Sequence, residues 1–356
     1  MTRSEFLAVT TLGLAARGRC VAQKRSSPLP EDQTPASPQG RRIAEIARSL
    51  RIVNDVEYVK RPERVLRLNV YSPTGQSDKP LPAIVVFTHA AWRSENRSFR
   101  KDLDQLPLAP TPDLYAPVLA PRGYVVVSAD CRLAAEAHFP AQIHDCKCAI
   151  RWTRANAARF NIDPDKIGLI GSSASGQLAA LAALSGPEHS LDDEKCYPGE
   201  SSKVQAVYSF AGLFDFEQYE QHPGDGTLRP QIEGYLGGSY AQLRERYRLA
   251  SPARYVARDN PPFLLMHGTE DRRVPYDQTV RFAEVLKSAG VAVKFVSVRN
   301  YAHNPLPGLQ PEPSCDALDQ EIYAFFEEHL AGRTNRGGGP RQIRRQIRRL
   351  EASVNS

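Results

Sequence analysis

A chain of 356 residues, 41% hydrophobic and 24% charged, has the length for one large core or two smaller ones, and its composition excludes a disordered or fibrous class. The formal net charge of +6 points toward nucleic acid only until it is located: residues 333–356 hold seven arginines against one glutamate. Residues 1–22 carry a further basic excess, which leaves −2 on residues 23–332, so the body offers no cationic face to a polyanion.

In chain order, Arg3 precedes the apolar run "FLAVTTLGLAA", 11 residues long, and small residues "CVA" precede Gln23. The run is too short to span a bilayer and suits the core of an export signal, so residues 1–22 read as a leader and the location as secreted or periplasmic. No other stretch is long and apolar enough for a membrane helix. Residues 23–40, rich in Pro and Ser, read as a linker. The fold is expected over 41–332, and the arginine-rich residues 333–356 read as a disordered, solvated tail.

"DVEYV" and "VLRLNVYSP" alternate apolar and polar residues, as half-buried strands do. "PAIVVFTHA", "YVVVSADCRL", "KIGLIGS", "VQAVYSFAG" and "PFLLMHG" are continuous apolar runs suited to strands covered on both faces. Between Phe139 and Phe160 the pattern turns helical, with Ile143, Cys146 and Ile150 on one face. "SGQLAALAALSG", "TVRFAEVLKSAG" and "ALDQEIYAFFEEHLAG" are further helices, and "VAVKFVSV" is a last strand. This alternation predicts an α/β fold: a doubly wound, mostly parallel eight-stranded sheet with helices on both faces, its reactive groups in loops at the strands' carboxyl ends. Residues 187–203 and 217–250 interrupt the alternation, either as a lid over the site or as ordinary surface insertions. Of the six cysteines, Cys20 lies in the leader. The other five form no evident framework, and buried free thiols are favoured over a pairing of Cys196 with one of the rest.

The chemistry centres on "IGLIGSSASGQLAAL". A serine presented on a tight strand–turn–helix elbow needs small residues two before and two after it. Among Ser172, Ser173 and Ser175, only Ser173 has two small flanks, Gly171 and Ser175; serine in the last glycine's place costs about 1 kcal/mol of local strain. A hydroxyl needs a base, and the base an orienting acid. Asp271, just past "PFLLMHG", and His303, just past "VAVKFVSV", follow in the order serine, acid, histidine. Glu270 and Asp277 are rival acids expected to face solvent. Backbone N–H groups must stabilise the oxyanion: Ala174, opening the helix after the nucleophile, and Ala90 or Ala91 in "THAAWR". Trp92 either lines the acyl or alcohol pocket as a substrate-binding residue or packs beneath that loop.

"FTHAAWR", "ADCRLAAEAHFPAQIHDCKCAIRW", "IDPDKIGLIGSSASGQLAAL", "FAGLFDF", "MHGTEDRRVPYDQ" and His303 together resemble α/β-hydrolase esterases of the hormone-sensitive-lipase-like and bacterial feruloyl-esterase-like (BD-FAE) branch, over about residues 54–331. The resemblance implies a serine carboxylesterase needing no metal or organic cofactor. It maps the nucleophile to Ser173, the acid to Asp271, the base to His303, and the oxyanion donors to the His89–Trp92 loop and Ala174. It also implies a small-molecule or polysaccharide-linked ester, with acetyl or aromatic acyl groups, as substrate. Nucleic acid is not an expected partner, and oligomeric state is not specified. Two departures stand out. His89-Ala90-Ala91-Trp92 replaces the family's glycines, keeping the N–H groups but losing freedom at positive φ. Ser175-Gly176-Gln177 replaces Gly-Gly-His. The alternatives are a prolyl-oligopeptidase-type peptidase or amidase, disfavoured by the short stretch preceding the fold, and a catalytically impaired binding domain.

Overall fold

The computed structural model describes residues 50–75, 77–87, 89–95, 119–193, 195–306 and 308–332. The leader, the linker and the arginine-rich tail read from the sequence lie outside the described residues. Eight strands form one sheet: β1 (Leu50–Lys60), β2 (Val65–Pro73), β3 (Leu81–Phe87), β4 (Val125–Ala129), β5 (Ile162–Ser172), β6 (Ala206–Phe210), β7 (Phe263–Gly268) and β8 (Val293–Val298). Their spatial order is β1-β2-β4-β3-β5-β6-β7-β8. β2 pairs antiparallel with both β1 and β4, and every other pairing is parallel. The expected α/β architecture is therefore present.

The apolar runs are buried on both sides, as their continuity predicts. In β3, Ala83, Val85 and Phe87 belong to one core and Ile84 and Val86 to the other. The first core is covered by α1 (Ala141–Ala155) through Ile143, Cys146 and Ile150, and by α2 (Ala174–Leu184) through Leu178 and Leu181. Three helices from the 217–250 region join it: α3 (Phe216–Gln221), α4 (Arg229–Leu236) and α5 (Tyr240–Ala250). So does α6 (Asp277–Ser288). The second core is closed by α7 (Cys315–Phe326) through Leu318, Ile322 and Phe326. Each such side chain contributes on the order of 1.5–3 kcal/mol relative to exposure. Among the described residues, no helix is long and apolar enough to cross a membrane.

The two interruptions differ from both sequence readings or choose between them. Residues 217–250 are not a surface insertion: Tyr219, Ile232, Tyr235 and Tyr247 are fully buried in the first core. Residues 187–203 follow the carboxyl end of α2, about 16 Å along the helix from Ser173 at its start. They are a surface insertion at the amino pole of the sheet. Cys196 is disulfide-bonded to Cys148 of α1, which corrects the expectation of free thiols for this pair. Cysteine spacing alone carries no pairing information. Ion pairs reinforce the tie: Arg151 meets Asp192 at 2.8 Å, and Arg61 bridges Asp145 and Asp193 at 2.8 and 2.5 Å.

A disulfide spanning 48 residues removes loop entropy from the unfolded chain. Cys196→Ser is expected to lower unfolding free energy by about 2–4 kcal/mol. Urea unfolding at 25 °C would measure it.

Candidate active site

Ser173 caps α2 with φ 56° and ψ −120°, a backbone conformation that L residues rarely adopt. Sterics hold it there. A Cβ on Gly171 would stand 2.1 Å from the carbonyl oxygen of Ser175, so that position admits only glycine. Ser173 N–H donates to Phe210 O at 2.8 Å, anchoring the elbow to the end of β6. Ser175, in the unusual position, is fully buried and accommodated.

The acid loop leaves β7 at Gly268, where an added Cβ would meet Tyr301 O at 2.2 Å. That close approach brings the segment carrying His303 over the segment carrying Asp271. Asp271 Oδ1 accepts from the N–H groups of Arg273 and Val274 at 2.9 and 3.0 Å. Oδ2 accepts from His303 Nδ1 at 2.7 Å and from His267 Nε2 at 3.1 Å. Burial alone would raise the pKa of this carboxyl; hydrogen bonds from His267 and His303 outweigh it and hold the group well below the usual carboxylate range. An ionised carboxylate only accepts, so His303 carries its proton on Nδ1 and its Nε2 is free to accept. Nε2 lies 3.0 Å from Ser173 Oγ, which donates to it.

Ser173, Asp271 and His303 are thus brought together from the ends of β5, β7 and β8. The rivals are not. Glu270 is exposed, and Asp277 accepts from Gln218 at 2.6 Å and faces Arg281 at 3.5 Å.

His267 is a residue the sequence reading passed over, because a histidine inside "FLLMHG" reads as strand core. Its Nε2 faces two acceptors, Asp271 Oδ2 and Val274 O at 3.0 Å, and so carries the proton; Nδ1 then accepts from Thr279 Oγ1 at 2.6 Å. The spacing of four between His267 and Asp271 is the only signal that was there to find.

The residues expected to form the oxyanion hole lie on two adjoining elements. Ala174 is the first residue of α2, whose opening N–H groups have no partner within the helix. His89–Ala90 pairs with Ser94–Glu95 in a two-residue ladder and lies against α2. Ala91 leaves that ladder with φ 50°, and Trp92 follows with φ 55°. A left-handed L residue costs roughly 1–2 kcal/mol, so here alanine takes a conformation for which glycine is built.

Trp92 is not available to substrate. It is 1% exposed, which overturns its assignment as a substrate-binding residue and selects the packing alternative. The left-handed backbone turns the indole inward, where it stacks on Tyr235 with ring centroids 4.6 Å apart. Its buried N–H needs an acceptor and finds Gln177 Oε1 at 3.1 Å.

With this geometry in view, comparison with known proteins places the chain. The BD-FAE family model matches residues 68–286, more than half of the sequence. The chain belongs to the BD-FAE family. Esterase LipQ of Mycobacterium tuberculosis is 34% identical over 183 residues, covering 51% of this chain and 42% of LipQ. Among solved structures, a truncated carbohydrate esterase from gut microbiota is 30% identical with a TM-score of 0.57, covering 71% of this chain and 89% of that one. The butyrate-bound esterase Est2 of Thermogutta terrifontis is 25% identical with a TM-score of 0.59, covering 76% and 92%. The chain spans about half the length of the curated relatives it matches.

Two measurements probe this BD-FAE site. Ala91→Gly removes the left-handed penalty and should raise unfolding free energy by about 0.5–1 kcal/mol, after the entropy that glycine adds to the unfolded chain. A lower urea midpoint would show instead that the alanine methyl is needed. For Asp271 the depressed pKa contributes stability that is complete above the ordinary carboxylate value, about 4, and is lost as pH falls toward the lower folded-state value. Asp271→Asn should therefore unfold at lower urea than the parent at pH 7, with the gap closing as both are titrated toward acid.

Proposed function

We propose that this chain is an exported serine carboxylesterase that hydrolyses moderate-sized esters through an acyl-enzyme on Ser173. One observation carries the reading: Ser173 Oγ lies 3.0 Å from His303 Nε2, while Nδ1 of the same ring is held by the buried Asp271 at 2.7 Å. In this proposal Ser173 Oγ attacks the ester carbonyl as His303 Nε2 takes its proton. The imidazolium, steadied by Asp271, then gives that proton to the departing alcohol. Ala174 N–H and an amide of the Ala90–Ala91 segment receive the negative charge on the carbonyl oxygen. Water, deprotonated by the same imidazole, releases the acid and restores Ser173.

Ester substrates are favoured over peptides by the three relatives named above, which are esterases. Butyrate bound to one of them and the carbohydrate esterase activity of another support short acyl groups, including those carried on carbohydrate, while aromatic acyl groups rest on the sequence resemblance alone. Export is supported by the leader-like opening sequence and by the Cys148–Cys196 disulfide, which belongs to oxidising compartments. Loss of a triad member would favour the impaired-binding-domain reading, and the serine, imidazole and carboxylate are in hydrogen-bonding contact.

Fluorophosphonate labelling tests the proposal. The intact protein should form a covalent adduct that Ser173→Ala abolishes, and absence of an adduct on the intact protein would overturn the reading. A p-nitrophenyl acyl series set against a chromogenic peptide then separates esterase from peptidase. Turnover of the esters with the peptide left intact is the expected result.

A further inference from the structure

We propose that Gln177 is a positioning residue for the oxyanion loop, transmitting the packing of the 217–250 segment to the strained backbone at Ala91 and Trp92. The inference rests on the esterase reading above. Its starting point is mechanical: two successive left-handed L residues, φ 50° and 55°, do not hold that shape unaided. Something must fix the loop, and the Trp92 side chain is what the fold grips.

Beside a tilted ring contact with Phe216 at 6.0 Å, three closer contacts restrain that residue. Its ring stacks on Tyr235 of α4, 4.6 Å between centroids and 7° between planes. Its carbonyl accepts from Ala134 N–H at 2.8 Å. Its indole N–H donates to Gln177 Oε1 at 3.1 Å. Of these, only the last reaches the nucleophile's own helix.

Gln177 is fully buried in the first turn of α2, and its backbone N–H donates to Ser173 O at 3.0 Å. The amide is used at both ends, since Nε2 donates to Ala250 O, the last carbonyl of α5, at 2.8 Å. An acceptor must face the indole and a donor must face the carbonyl, so the side chain has one orientation and no freedom to flip. One amide therefore joins the nucleophile helix, the oxyanion loop and the helices of the 217–250 segment. A hydrocarbon in its place would strand a buried N–H and a buried carbonyl. Trp92 would then be held by ring contacts, which tolerate sliding, and by one backbone bond.

Both tetrahedral intermediates of ester hydrolysis place charge on the same oxygen, so a loosened loop slows acylation and deacylation alike. A residue that only fills the core acts differently: it lowers the fraction of folded sites and leaves the rate at each site untouched. Burst kinetics on a p-nitrophenyl ester separate the two, because the amplitude counts working sites and the rate constants describe them.

The test uses the full chain with Gln177→Met and, should that variant fold poorly, Trp92→Phe, which keeps a stacking ring and loses the N–H. Expected are acylation and deacylation constants both reduced about tenfold or more per titrated site, a part of the 10²–10³ lost with a whole donor, with KM little changed. Gln177→His should recover most of the rate, because a neutral imidazole also offers one donor and one acceptor. If the rate constants per site match the parent in both variants while only amplitude or thermal stability falls, Gln177 is a core-filling residue and the proposal is wrong. A parent protein showing neither burst nor turnover is a different result, which removes the esterase reading and this inference with it.

Discussion

The backbone of Ser173 is the constraint around which the rest is arranged. Its positive φ lifts the hydroxyl off the end of β5 and starts α2 in the same step, so hydroxyl and helix amides share one origin. Holding that shape demands a bare Cα at Gly171 and a tether to the end of β6 at Phe210. A further left-handed residue, Ala211 with φ 47°, follows directly on Phe210. Left-handed L residues follow the carboxyl ends of β3, β5 and β6, which are neighbours in the sheet, and the largely buried strands beneath them supply the rigidity that sustains these turns.

Asp271 performs a second kind of organisation. Its four hydrogen-bond donors come from its own turn, from the β7 strand and from the loop after β8. A carboxylate so supplied stays ionised when buried, and it fixes the tautomer of each histidine it touches. His267 completes this set by spending its remaining nitrogen on Thr279 of α6, so the acid is braced from behind as well as from the His303 side.

What could be read from the sequence followed from periodicity and sterics. Continuous β-branched runs such as "PAIVVF" announce strands buried on two faces, and each proved to divide its residues between the two cores. The elbow was legible because crowding leaves a single serine with two small flanks, and Asp271 and His303 because each directly follows a strand. The orientation of Trp92 was not legible. It depends on left-handed angles at residues 91 and 92, and alanine gives no hint of a conformation that glycine would advertise. His267 and Gln177 were hidden for another reason: a polar side chain inside an apolar run reveals its partners only after distant segments meet, across 12 residues to Thr279 and 73 to Ala250. The 217–250 segment misled because its buried tyrosines occur among charged residues and fit no simple amphipathic stripe.

The disulfide-tied segment at the amino pole also fixes how the molecule can be oriented on a solid support. Glu188, at the start of that segment, has a side chain 66% exposed and stands beyond the end of α2 remote from Ser173. A covalent linker placed at this position alone would leave the opposite pole, where Ser173 and His303 meet, facing the bulk liquid, and the crosslinked anchor would resist being peeled from the protein under load.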